Sequence, residues 1–233
     1  MFAQTIRGKV ADPKAVRAAV QRWMQDLGPT AKGWLGSTGG VTDGGDLFVL
    51  VRFDSEGSAR FNSARPEQDN WWSEFSRLLD GEAIVKDSNN LLVETNGDPD
   101  TAGFVQVIVG QSTDLERSRQ VMTENLRGRQ SARPDILGSV SVGHEDGKFT
   151  SVLYFTNEAE ARKGERQDFP PDVKAALEEM RSLGVGTPEY LDIRDPWIHS
   201  PHKAGTSYEG TWSGRSAPAS LCPFHLPLSY AAW

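Results

Sequence analysis

Few side chains in this sequence are of a type and spacing suited to chemistry. Asn70-Trp71-Trp72 sets an amide beside two indoles. Adjacent residues on a helix point about 100° apart, so one indole faces a core and the other can roof a pocket over Asn70. Aromatic residues at this spacing are also ordinary core. Gln4 and Gln106 each interrupt a strand-like run, and Arg52 and Tyr154 occupy matching places in a second such run. A buried Gln or Arg needs hydrogen-bond partners, so these residues either line a wet cavity or satisfy one another and the strand edges.

Other chemistries find little support. His199 and His202 are three apart, but Pro201 between them breaks the helix that would align them for a metal, and no third ligand is near. His144 sits in a turn-like stretch and His225 in the last segment. The glycine-rich stretch at 36–40 leads into a hairpin rather than a helix and lacks the spacing of a phosphate loop. No GxSxG is present, and the single cysteine, Cys222, lies in an aperiodic segment. With a formal net charge of −7 and scattered arginines, the chain lacks a nucleic-acid footprint. No apolar run approaches the ~18 residues of a membrane span. One cysteine and no leader pattern point to a reducing, cytoplasmic setting.

The elements that must position these residues are written twice. At a constant offset of 102, residues 2–60 align without a gap on 104–162. Fourteen of the fifty-nine paired positions are identical, among them Phe2/Phe104, Gln4/Gln106, Gly45/Gly147, Phe53/Phe155 and Arg60/Arg162. Within the first copy, a strand over 2–10 is followed by Asp12 as N-cap and Pro13 at the first helical position. Val16, Ala19, Val20, Trp23, Met24 and Leu27 then recur at helical spacing up to Gly28-Pro29. Strands at 34–41 and 47–53 flank a Thr-Asp-Gly-Gly turn. A second helical pattern spans 65–79, and one closing strand is expected within 83–93. The second copy repeats the plan: strand 104–109, a helix from an Asp114 cap through Leu126, hairpin strands about 143–147, a helix introduced by Pro170-Pro171, and strand 189–194. The division is 1–95, linker 96–103, 104–200 and an aperiodic tail 201–233.

The order β-α-β-β-α-β is the split ferredoxin-like unit, an antiparallel sheet carrying both helices on one face. Its bare face needs a cover, and the second copy supplies it. The fold class is therefore α+β: two tandem ferredoxin-like units forming an intramolecular α/β-barrel, a single-chain version of an isologous dimer. Duplication removes the need for a dimer without forbidding one, so a monomer or a homodimer is compatible with it.

FxQxIxG at the start of both halves, GWLGSTGGVTDGG at 33–45, ARFNSARPEQDNWW at 59–72, and EARKGE with DIRDPW near the end together resemble the dimeric α/β-barrel superfamily. Within it, the chain is most similar to tandem proteins related to antibiotic-biosynthesis monooxygenases, of the actinobacterial type. The resemblance spans residues 2 to about 198. It implies a small hydrophobic or aromatic ligand, oxygenated without metal, flavin or other cofactor, the substrate itself giving electrons to O₂. Asn70, Trp71 and Arg52 would then bind the substrate and stabilise its anion, while Gln4, Gln106, Tyr154 and Trp72 line the cavity. The absence of a matched acid/base pair favours the competing expectation, a ligand-binding or structural protein without turnover. An apolar cavity of about a few hundred Å³ touching Trp71 or Trp72 and one of Arg52, Gln4 or Tyr154 would separate the two.

Overall fold

Period-two alternation assigns every strand residue to one of two faces. In the computed structural model, which describes residues 1–201, strands β1 (Phe2–Lys9), β2 (Trp34–Val41) and β3 (Asp46–Phe53) of the first half are joined by β4 (Ile84–Ser88). β5 (Leu91–Thr95), β6 (Phe104–Gln111), β7 (Ile136–Gly143), β8 (Lys148–Phe155), β9 (Glu189–Ile193) and β10 (Trp197–His199) follow. They form two antiparallel five-stranded sheets of order β10-β2-β3-β1-β4 and β5-β7-β8-β6-β9. Ala3, Phe48 and Leu50 of one sheet meet Val105, Val107, Val152, Tyr154 and Ile193 of the other in a shared buried interior. The opposite faces pack on helices: Phe104, Ile108, Leu153 and Phe155 in the second half, and Phe2, Leu47 and Phe53 in the first. The two tandem ferredoxin-like units thus close one barrel with the helices outside. Identical residues in the repeat have identical tasks: Gly45 and Gly147 turn the two hairpins at φ of +79° and +70°, where a side chain would be strained.

Helix α1 (Pro13–Asp26) is capped as the sequence indicates, Asp12 accepting from the amides of Lys14 and Ala15 at 2.9 and 3.1 Å. The remaining helices are α2 (Glu56–Ser63), α3 (Pro66–Ser76), α4 (Leu115–Glu124), α5 (Leu126–Ala132), α6 (Glu158–Gly164) and α7 (Pro171–Leu183). Among the described residues no helix is long and apolar enough to cross a membrane.

Several elements differ from the sequence expectation. α2 and α6 have no apolar stripe to announce them, because α2 buries Ser58, Ala59 and Asn62, and α6 buries Ala161 and Gly164. The helix expected through Leu126 breaks at Asn125, where the backbone leaves helical geometry. The single closing strand expected within 83–93 is two strands on different sheets: β4 pairs with β1, whereas β5 crosses to pair with β7. β10 answers it, carrying Trp197–His199 back to β2 of the first sheet. Each half hands its last strand to the edge of the other's sheet, an exchange driven by contacts far apart in sequence. The tail, with His202, Cys222 and His225, lies outside the described residues.

At the seam between the sheets, His144 Nε2 lies 3.0 Å from Thr150 Oγ1. Burial, with Lys86 nearby, pushes its pKa down to about 4. An unfolded histidine titrates near ~6.5, so between there and about pH 4 the unfolded chain binds the extra proton. Stability should be complete above that window and fall as the pH drops through it. His144→Gln should flatten urea midpoints measured across the same range; an unchanged slope would remove His144 as the cause.

Candidate functional site

The helix-side residues of the first sheet do not fill the space above them. Gln4 and Ile6 of β1 with Val49, Val51 and Phe53 of β3 form a floor, and Val20, Trp23 and Met24 of α1 form one wall. Asn62 and Ser63 of α2 and Gln68, Asp69, Trp71, Trp72 and Phe75 of α3 form the other. They enclose about 360 Å³, within the range of ligand sites, while two further cavities hold about 60 and 20 Å³.

Aromatic stacking and two indole hydrogen bonds set the spacing of the walls. Phe75 is buried and stacks on Trp71 at 4.8 Å and on Trp72 at 5.7 Å between ring centroids. Trp71 Nε1 donates to the Ala19 carbonyl at 2.9 Å, tying α3 to α1. Trp23 Nε1 donates to Gln68 Oε1 at 2.7 Å, a second tie. Asn62 is spent on structure, its Nδ2 donating to the Lys32 and Ser58 carbonyls, both at 2.7 Å.

Of the residues singled out in the sequence, Gln4, Trp71 and Trp72 line this cavity, and both indoles do so at once. Asn70 is exposed and outside it, because the helical turn that brings its neighbours to the sheet carries it to solvent. Arg52 and Tyr154 share the parity of Leu50 and Val152 and therefore lie on the other face of their sheets, toward the barrel interior. Tyr154 is buried there with its hydroxyl 2.7 Å from Thr38 Oγ1, and burial pushes its pKa up. Arg52 Nη2 is 3.5 Å from the Leu35 carbonyl. Gln106 is buried beneath the helices of the second half, donating to Asp192 at 3.0 Å. The residues that join Gln4 and the two indoles are Trp23, Ser37, Gln68 and Asp69. Gln68 and Asp69 precede Trp71 and Trp72 by three positions, a helical spacing that was available in the sequence.

The second half fills most of the equivalent space with its own side chains, leaving about 60 Å³ beside Met122 and Ser151. Tyr190 stands where the first half has Val85, Leu153 where it has Val51, and Met122 where it has Val20. The Arg162 guanidinium lies over Phe104 at 5.2 Å and pairs with Asp192 and Glu165. Its twin Arg60 turns outward to Glu56, with 80% of its side chain exposed against 20% for Arg162. Among the described residues His144 and His199 are outside the cavity, and no cluster of three or more His, Cys, Asp or Glu is placed to hold a metal.

Fold and cavity define the class: a tandem ferredoxin-like α/β-barrel with a ligand-sized space under the helices of one half. No protein-family model and no curated protein matches the chain. Solved structures share the fold at low identity. A proposed monooxygenase of Lactobacillus acidophilus NCFM superimposes with a TM-score of 0.65 at 13% identity, covering 85% of this chain and 99% of the other. A proposed monooxygenase of Fusobacterium nucleatum subsp. nucleatum ATCC 25586 gives 0.67 at 8% identity, covering 90% and 98%. An anthrone oxidase-like protein gives 0.61 at 14% identity, covering 91% and 96%.

Proposed function

We propose that the first half binds a flat, largely apolar aromatic or polyketide-type molecule and oxygenates it without metal or flavin, in a cytoplasmic setting. The observation that carries this reading is the 360 Å³ cavity walled by Trp23, Trp71 and Trp72 with Gln4 at its floor. The monooxygenase and anthrone oxidase-like names of proteins with the same fold support it, and we place the chain with the tandem, actinobacterial antibiotic-biosynthesis-monooxygenase-like group on the motifs above.

For an anthrone-type substrate the balance is CH₂ + O₂ → C=O + H₂O: the substrate supplies all four electrons, one oxygen enters the product and the other leaves as water. The protein's tasks are to bind the ring, exclude water and receive the proton released as the substrate becomes an electron-rich anion. Among the lining residues Asp69 is the one ionisable side chain, which makes it the proton acceptor. The indoles cover the ring faces.

Oxygen uptake with a panel of hydroquinones and anthrones tests this. Trp71→Ala should lower kcat/KM by about 10²-fold, since it removes both a wall and the tie to α1. Trp71→Phe, which keeps the stack on Phe75, should lose far less. A second reading, binding without turnover, is favoured because Asp69 has no second ionisable side chain beside it among the described lining residues. Tight binding with no oxygen uptake across the panel would establish it.

A further inference from the structure

Of the three side-chain amides that line the cavity, Asn62 is spent on the backbone, and Gln4 and Gln68 are each oriented by a partner with only one possible role. The Trp23 indole N–H can only donate, so the Gln68 atom 2.7 Å away is the carbonyl oxygen. The Gln68 amino group makes no hydrogen bond among the described residues and remains a donor for the cavity it lines. An ionised carboxylate can only accept, so the Gln4 atom 3.0 Å from Asp87 Oδ1 is the nitrogen. That leaves the Gln4 carbonyl oxygen as an acceptor.

The second half shows that the fold itself supplies nothing to that oxygen. Gln106 donates to Asp192 at the same register, 3.0 Å away, and its carbonyl Oε1 is buried with no partner among the described residues. Gln4 is half-buried rather than buried, and it has the cavity beside it.

Resting on the reading that this cavity takes an aromatic molecule, we infer that Gln4 and Gln68 determine which hydrogen-bonding pattern it must carry. A ligand hydroxyl donates to Gln4 Oε1, and a ligand carbonyl oxygen accepts from Gln68 Nε2. The fitting class is a hydroxylated aromatic ketone. A counterpart that bears only acceptors sets oxygen against oxygen at Gln4 and binds more weakly, so the site distinguishes a hydroquinone-type phenol from the quinone left when two protons and two electrons have been removed.

Tryptophan-fluorescence titrations with three redox-inert probes test the assignment: 6-hydroxy-1-tetralone, 1-tetralone without the hydroxyl, and 2-naphthol without the ketone. The hydroxyketone should bind the native protein about ten-fold more tightly than either partial probe, the worth of one hydrogen bond to a group otherwise left unpaired. Gln4→Leu should bring hydroxytetralone and tetralone within about two-fold of each other while leaving the tetralone Kd in place. Gln68→Glu keeps an acceptor for Trp23 but removes the donor, and should abolish the preference over 2-naphthol. Gln4→Met serves if the leucine variant does not fold. Equal Kd values for hydroxytetralone and tetralone in the native protein would overturn the selectivity and leave the aromatic site standing. Failure of all three probes to bind would overturn the site itself.

Discussion

Asp69→Asn is expected to lower the rate of oxygen uptake by about 10²–10⁴-fold while changing ligand Kd by less than about two-fold. Asp69 lies on α3 between Gln68 and the exposed Asn70, at the rim of the cavity that Trp71 and Trp72 wall. The amide keeps the shape of the carboxylate and its acceptor oxygen but cannot take a proton. If the proton of a phenol or enol leaves through this group, the loss falls on kcat. Single-turnover oxygen consumption under saturating ligand, beside a fluorescence titration of the same variant, separates the chemical step from binding. A variant with native kcat would remove Asp69 from the proton transfer and leave the cavity as a binding site.

The largest effect on stability is expected from Asp135→Ala, about 3–5 kcal/mol. Arg133 is 1% exposed, and its Nε and Nη2 donate to the two Asp135 oxygens at 2.9 and 2.7 Å. The guanidinium also lies 5.6 Å from the Phe155 ring centroid, beneath α6. Removing the carboxylate takes the main counter-charge from a cation that water cannot reach, and domains have only ~5–15 kcal/mol in reserve. A fall in Tm on the order of 10 °C follows for a chain of this size. Combining Asp135→Ala with Arg133→Met should recover most of the loss, because an apolar replacement of a buried pair is often neutral. The repeat supports this: the equivalent first-half positions are Ala31 and Gly33, and that half folds without the pair. Urea denaturation of the single and double variants measures the difference.

The repeat, the Asp12 cap, the hairpin glycines and the alternation of β1, β3, β6 and β8 are local signals, and they were sufficient for the barrel. Side-chain parity also separates Gln4 from Arg52. Parity does not say which face meets helices and which meets the other sheet, so the sequence alone sets Arg52 and Tyr154 beside residues that lie on the far side of their sheets. Adjacency in sequence joins Asn70 to Trp71, although one residue along a helix is a rotation of about 100°. Trp23 read as core because an indole that lines a cavity and one that fills it have the same periodicity.

By itself the sequence determined that one chain builds both sheets of a barrel, and that its two halves differ at Trp71 and Trp72. Repetition and period are carried by neighbours along the chain, so they survive without a structure. The tertiary structure alone decided the exchange of β5 and β10 between sheets, and which half stays open. Both depend on residues distant in sequence: β5 and β7 pair about fifty positions apart and β10 and β2 about 160 apart, and Arg162 folds inward onto Asp192, 30 positions away, while its identical twin Arg60 turns out to Glu56. The difference lies in what surrounds them, Tyr190, Leu153 and Met122 in one half against Val85, Val51 and Val20 in the other. A cavity is a property of the volume that side chains leave unfilled, and that volume exists only once the walls have met.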